Sequence, residues 1–314
     1  MSALSKVVIA GGSGFIGREI TKQLVEEGTQ VTILTRSKSS TLPAGARRSV
    51  WDYRRESGTP WIDDVRGADA VMNVCGYPVV SRWSAAGKRM IEESRIQSTE
   101  VLTRAIRGLG KEERPRVYVG GSAVGYYGMH ESKVFDEGDT VGEDFLARLC
   151  ERWESAATEG LKEVEDTTRV VVVRTGVVLG KDGGALARMI PAFKLFVGGP
   201  VGSGRQMVSW VHIEDIARVF IEAAKNETMR GAYNGTAPGA VSMAVMARSL
   251  GKAMSRPSLF AVPGVVLQAA FGEGSCVVLQ GKHVRPTRLA ESGFLFRYER
   301  IDDAMEAVVG SMDM

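Results

Sequence analysis

Cysteine and histidine are scarce in this 314-residue chain, with three of each. Cys75, Cys150 and Cys276 stand far apart, in no C-x-x-C pair and at no zinc-ligand spacing, and so few histidines leave a metal little to bind. No apolar run approaches the ~20 residues that span a bilayer. The opening MSALSKVVIAGG has neither the apolar core of a secretion signal nor the Arg/Ser-rich character of a transit peptide. Charge of one sign is also lacking: 40 Lys and Arg face 37 Asp and Glu, so the totals point to no nucleic acid and no membrane as partner. Repeats and low-complexity tracts are absent. What remains is the expectation of a reduced, cytoplasmic protein, monomer or homodimer, acting on a small-molecule substrate.

An apolar fraction of 44% and a charged fraction of 25% are those of a chain that folds around a core. Short β-branched runs at 7–10, 31–35, 70–74, 117–119 and 170–173 alternate with amphipathic stretches such as 16–27 and 85–106. That alternation predicts βαβ units and a parallel sheet covered on both faces, hence a doubly wound α/β fold. After Gly180 the pattern changes. Residues 181–205 hold six glycines and two prolines around an apolar stretch at 185–197. A helix at 213–224 and a strand stub at 232–234 follow. The helix-rich tail, with a strand expected at 294–298, reads as a small lobe beside the sheet.

Gly11, Gly14 and Gly17, with Gly12 and Ser13 between, form a G-x-x-G-x-x-G series that follows the first strand and opens a helix at Phe15 and Ile16. Such a turn needs glycine for positive φ, for close approach of a pyrophosphate to the backbone and for tight helix packing. The helix N-terminus then favours the phosphates. An NAD binder ends its second strand with Asp or Glu to hold the ribose 2′-hydroxyl. Here the residues are Thr35, Arg36 and Ser37. With no carboxylate to repel a 2′-phosphate and a guanidinium to bind it, NADP(H) is expected rather than NAD. The surrounding cluster of Lys38, Arg47, Arg48, Arg54 and Arg55 also reads as a solvated basic loop.

Several motifs in this order resemble one family: GGSGFIG (11–17), SAVGYYG (122–128), RTGVVLG (174–180), GGPVGSGRQ (198–206), SWVHIEDIA (209–217), FGEGSCVVLQGKHVRP (271–286) and ESGFLFRY (291–298). The chain is identified as a member of the atypical short-chain dehydrogenase/reductase subgroup known as "epimerase family protein". The resemblance implies a Rossmann core at 1–261, of which 179–208 contributes to a substrate lobe, and a small C-terminal domain at 262–314. It places NADP(H) along the carboxyl edge of the sheet. Asp52 then falls near the adenine, Val74, Cys75 and Gly76 beside ribose and pyrophosphate, Arg95 next to the cofactor, and Gly176 and Val177 at the nicotinamide. Cys75 and Val177 also read as plain packing residues.

The family's usual catalytic pair is missing. Tyr-x-x-x-Lys, in which the tyrosine transfers the proton and the lysine lowers its pKa, occurs nowhere in the chain. The helix that should carry it, 144–157, offers Phe145 and Leu149, or Leu146 and Cys150, according to register. The catalytic serine slot falls on Ala123, with Ser122 just before it. Ser122 and Tyr127 are the remaining proton-carrying candidates. Tyr126 with His130, and His212 with Asp215, have suggestive spacings, although His212 also reads as a helix cap. Arg82, Trp83, Arg205 and Gln206 are pocket candidates, while His283 and Arg285 read as surface. Two functional classes stay open: an oxidoreductase or nucleoside-diphosphate-sugar epimerase-like enzyme with an unusual proton donor, or a catalytically silent protein that senses NADPH or keeps it as a structural ligand.

Overall fold

The computed structural model describes residues 3–38, 41–55, 60–130 and 132–312. Its central sheet consists of β1 (Lys6–Ala10), β2 (Gln30–Thr35), β3 (Arg47–Val50), β4 (Ala70–Asn73), β5 (Val117–Ala123), β7 (Arg169–Thr175) and β11 (Gly231–Gly235). The spatial order is β3-β2-β1-β4-β5-β7-β11, and every pairing is parallel. Strand order reverses between β1 and β4, so the connections diverge there and open a crevice at the carboxyl edge. Three short pairs lie outside this sheet: β6 (Val134–Phe135) with β13 (His283–Val284), β8 (Val177–Leu179) with β10 (Trp210–His212), and β9 (Met207–Val208) with β12 (Val241–Ser242).

Successive strand residues face opposite sides, which is why the strands read as unbroken apolar runs. Val7 and Ile9 join the core under α1 (Phe15–Glu26) and α6 (Ile213–Lys225). Val8 and Ala10 join the opposite core with α3 (Ala85–Gly108) and α4 (Phe145–Leu161), beside the short α2 (Pro60–Val65). A third cluster gathers α5 (Leu186–Lys194), α7 (Met243–Ala253) and α11 (Ile301–Gly310). The tail also holds α8 (Gly264–Phe271), α9 (Cys276–Leu279) and α10 (Thr287–Glu291). It shares its buried side chains widely: Leu289 enters the α1–α6 core, Val284 packs with Tyr127, and Met305 joins α5 and α7.

Three sequence expectations need correction. Residues 294–298 form no strand: the amides of Arg297 and Tyr298 donate instead to the buried carboxylate of Asp215, at 2.8 and 2.9 Å. Arg47 and Arg48 belong to the edge strand β3 rather than a loop, where Arg47 pairs with Asp64 and Arg48 donates to the Lys38 carbonyl at 2.7 Å. An edge strand whose one apolar residue, Val50, is exposed gives no hydropathy signal. The strand expected at 117–119 extends to Ala123, so Ser122 lies inside the ladder opposite Arg174.

Arg169, buried at the start of β7, shows how the far edge is held. Its guanidinium donates to the carbonyls of Ala223 and Ala224, both at 2.7 Å, and of Met229 at 3.1 Å. These close the C-terminal turn of α6, whose last carbonyls have no partner within the helix. Arg169→Met is expected to destabilise the fold by roughly 2–3 kcal/mol in urea unfolding, through stranded carbonyls. A loss below about 0.5 kcal/mol would show that the contacts are dispensable.

Candidate functional site

The turn from Gly11 to Gly17 is compact enough that side chains would collide with backbone. Gly11 has φ +81°, and a Cβ there would lie 2.9 Å from Cys75 N and from the Val74 carbonyl carbon. A Cβ on Gly17 would lie 2.3 Å from the Gly11 carbonyl oxygen, and one on Gly12 2.8 Å from Ile33. Gly14 N donates to Gly11 O at 2.9 Å and begins α1, with Ser13 half-buried beside it. Ile16 packs into the core. Phe15 lies against Gly180, Gly183 and Gly184, where any Cβ would fall within 3.1 Å of its ring. The glycine-rich segment after β8 thus folds over the entrance to α1. This is a cradle that a dinucleotide pyrophosphate fits: open backbone N–H groups at a helix N-terminus with no Cβ in the way.

At the end of β2, Thr35 is buried, its hydroxyl accepting from Ser37 N at 3.3 Å. Arg36 is exposed and makes no hydrogen bond or ion pair among the described residues. Its charge reaches Asp52, Tyr53 and Cys75. Asp52 already holds Arg54 through that residue's amide and side chain, at 3.2 and 3.4 Å. Partial burial raises the Asp52 pKa, but these bonds and the nearby guanidinium groups outweigh it and leave the carboxyl below its ordinary value. Burial pushes the Cys75 thiol up to about 12, so it stays protonated at neutral pH.

Next to this lies a second unpaired cation. Arg95 on α3 donates through Nη1 to the carbonyls of Tyr77 and Ile91, both at 3.0 Å, and its guanidinium lies 5.2 Å from the Trp153 ring centroid. A Cβ on Gly76 would be 2.9 Å from Arg95 Nη2. Among the described residues Arg95 has no carboxylate partner, and burial lowers its pKa to about 10. It nonetheless stays charged at neutral pH beside the turn between Val74 and Gly76. A buried cation without a counter-ion is costly, and an anionic ligand relieves that cost.

At the ends of β5 and β7 a polar network fills the floor. Arg174 binds Glu154 with two parallel bonds, Nε to Oε1 at 2.9 Å and Nη2 to Oε2 at 2.8 Å, both side chains nearly buried. Ser122 Oγ donates to Glu154 Oε1 at 2.7 Å. Arg174 also donates to the Tyr127 hydroxyl at 3.0 Å and lies flat over Tyr126, 3.4 Å from its centroid. Tyr127 in turn donates to Asn234 Oδ1 at 2.7 Å, and burial pushes its pKa up to about 12. The protons of Ser122 and Tyr127 are therefore both spent on internal partners.

On α4 the row Leu146, Cys150 and Glu154 faces the end of β5: a Cβ on Gly125 would lie 3.3 Å from Leu146 and 3.6 Å from Cys150 Sγ. Burial pushes the Cys150 thiol up to about 11. The tail brings a cation to the Leu146–Cys150 end of this row. Lys282 is 8% exposed, and its ammonium has no hydrogen bond or ion pair among the described residues. Burial pulls its pKa down against the opposing influence of Asp144, Cys150 and Cys276, which flank it. Its backbone is pinned: Lys282 N donates to Met207 O at 3.1 Å, and Ser209 Oγ donates to Lys282 O at 2.9 Å. Ser209 O accepts from Val177 N at 2.8 Å, so Lys282 stands beside the start of β8.

Sequence reading missed Glu154, Arg174 and Lys282. The charge ending the apolar run VVVVRT was the available signal, because a buried arginine demands a partner. Other sequence candidates have structural duties. His212 caps α6, accepting from Glu214 N at 3.3 Å, and its ring lies 4.0 Å from that of Tyr298. Tyr126 does not meet His130, whose Nδ1 accepts from Lys133 N at 2.9 Å. Gln206 is tied to the Val201 and Val278 carbonyls at 2.8 and 3.1 Å. Trp83 donates to Val79 O at 2.9 Å and Arg82 is exposed, while Arg285 N donates to Phe135 O at 2.8 Å.

Residues 7–234 match the family described as NAD dependent epimerase/dehydratase, and residues 262–308 match a domain of unknown function, DUF1731. The chain is 42% identical over 303 residues to "Epimerase family protein SDR39U1 homolog, chloroplastic" of Arabidopsis thaliana, covering 96% of this chain and 86% of that protein. The crystal structure of human epimerase family protein SDR39U1 (isoform2) with NADPH superposes with a TM-score of 0.87 at 32% identity, over 97% of this chain and 99% of that one. A nucleoside-diphosphate sugar epimerase from Corynebacterium glutamicum is 28% identical with a TM-score of 0.77, over 99% of this chain and 59% of that one. With its Rossmann-like sheet, glycine turn and C-terminal DUF1731 match, the chain belongs to the NAD dependent epimerase/dehydratase family, among the epimerase family proteins.

Proposed function

We propose that this protein binds NADP(H) across the crevice and transfers hydride to or from a small carbonyl or sugar-nucleotide substrate, without a Tyr–Lys pair. The observation that carries this reading is the pair of guanidinium groups, Arg36 and Arg95, which have no carboxylate partner among the described residues and stand on either side of the glycine turn. The NADPH in the human relative's crystal structure supports the same cofactor here. The turn from Gly11 to Gly17 holds the pyrophosphate, Arg36 with Thr35 and Ser37 the 2′-phosphate, Asp52 the adenine side, Val74 to Gly76 and Arg95 the ribose and phosphates, and Ser122 and Val177 border the nicotinamide. The cofactor supplies or accepts the hydride at its nicotinamide ring. Residues 179–208 and the tail wall the substrate side.

Lys282 is the proton carrier of this reading. Its ammonium lies near Cys150 and makes no hydrogen bond or ion pair among the described residues. It donates to the substrate oxygen as charge develops there, and Leu146 and Cys150 of α4 keep water away. The Glu154–Arg174 pair fixes the floor against which the ring rests, with Ser122 held in place rather than reacting.

Arg36→Asp is expected to weaken NADPH binding by roughly 10–100-fold and NADH binding by far less, since only NADPH loses charge-assisted bonds. Equal losses in calorimetric titration would overturn the 2′-phosphate assignment. Stereospecifically deuterated NADPH, screened against carbonyl compounds and sugar nucleotides, is expected to lose its label to a substrate. Tight binding with no transfer across the panel would instead favour a sensing role. With a substrate in hand, reduction is expected to fall as pH rises and Lys282 loses its proton, at a pH below the ordinary lysine range. Lys282→Met is expected to remove that limb and most of the rate while leaving NADPH affinity within about twofold. An unchanged profile would exclude Lys282 as the acid.

A further inference from the structure

Eleven large hydrophobic side chains are exposed among the described residues, and seven of them lie in one place. Leu195, Phe196 and Val197 follow the end of α5, with Leu195 73% exposed. Leu259 and Phe260 lie alongside: both amides donate to Gly198 O, at 3.1 and 3.2 Å, and Val262 N donates to Pro200 O at 2.9 Å. The chain then runs directly into α8, where Val265 is 70% exposed and Val266 is exposed as well. That helix, GVVLQAAF, has one polar residue, and none of its side chains is buried. A helix apolar all round normally lies in a core or in lipid. With eight residues, about 12 Å long, it is too short to cross a bilayer.

The backbone is strained at the same place. Phe196 (φ 63°) and Ser255 (φ 53°) are the two non-glycine residues with positive φ among the described residues. Holding a phenylalanine in this conformation costs energy that a solvent-facing ring does not recover. The segments that form the patch carry charge of one sign, and the first acid after them, Glu273, is paired with Lys88. No Asp or Glu occurs between Asp182 and Glu214, nor between Glu227 and Glu273, although the net charge of the whole chain is small. Lys194 borders the patch, and the Arg256 guanidinium lies 4.4 Å from the Phe196 ring centroid. Neither has a carboxylate partner among the described residues.

We propose that this face docks the protein on the surface of an anionic lipid bilayer. Leu195, Phe196, Leu259 and α8 enter the headgroup–acyl boundary, while Lys194 and Arg256 meet acidic headgroups. Protruding apolar residues bordered by bases that have no carboxylate partner among the described residues are the chemistry of an interfacial anchor. A second copy of the chain fits less well, because a two-fold contact through this patch brings its bases together without an acid to answer them. The proposal is independent of the hydride-transfer reading.

The test is flotation of the full chain with vesicles of phosphatidylcholine alone or mixed with phosphatidylglycerol, at low and high salt. The protein is expected to float with the mixed vesicles, less so at high salt, and weakly with phosphatidylcholine alone. Phe196→Ser with Leu259→Ser is expected to lower the bound fraction about tenfold or more, and Lys194→Glu to reduce it on anionic vesicles only. NADPH affinity and thermal midpoint in the same variants report whether the fold survives, and Lys194→Glu alone tests the charge if the double variant misfolds. No flotation with anionic vesicles at low salt would overturn the proposal. So would concentration-dependent dimers in light scattering that the serine variants abolish, since the face would then join two copies.

Discussion

The bidentate pair between Arg174 and Glu154 is the contact on which the centre of the molecule depends. Burying a guanidinium and a carboxylate costs several kcal/mol each unless nearly every donor and acceptor is met. Here Ser122, Tyr127 and the face of Tyr126 complete the arrangement, and Asn234 carries it on to the carbonyl of Arg285 at 2.9 Å. One network thus joins α4, β5, β7, β11 and the tail. The tail is therefore braced against the sheet by polar bonds as well as by apolar contact.

The same network explains why hydroxyls in familiar positions are poor proton carriers here. A serine at the end of β5 and a tyrosine shortly after it look catalytic until their partners are known. Each has its proton engaged, and burial raises the Tyr127 phenol further from a useful range. Three cations point the other way. Arg36, Arg95 and Lys282 come from separate elements and none makes an ion pair among the described residues, and burial reduces the screening of the latter two. That field suits a ligand with several phosphates and a substrate oxygen that gains charge.

Overall charge conceals this organisation. Acidic residues are unevenly spread along the chain, and 183–213 and 228–272 contain none. The near balance of the totals therefore described neither the basic crevice nor the apolar, acid-free face beside α5 and α8. Both are local properties of surfaces that folding assembles from distant segments.

From sequence alone the doubly wound sheet, the glycine turn and the absence of a Tyr–Lys pair were legible, because each is local. A β-branched run, three glycines at fixed spacing and the residue four positions along a helix need no knowledge of distant neighbours. β3 escaped because an edge strand with RRSV carries no apolar pattern, and the strand expected at 294–298 failed because its amides serve Asp215 instead of a ladder. Glu154, Arg174 and Lys282 were beyond reach for the same reason. What decides their roles is which charge lies opposite which, across separations of 20 residues for Arg174 and Glu154 and of more than a hundred for Lys282 and Cys150. Local pattern determined the fold class and the cradle; only the tertiary structure decided which polar groups are spent on one another, because that depends on charges brought together from distant segments.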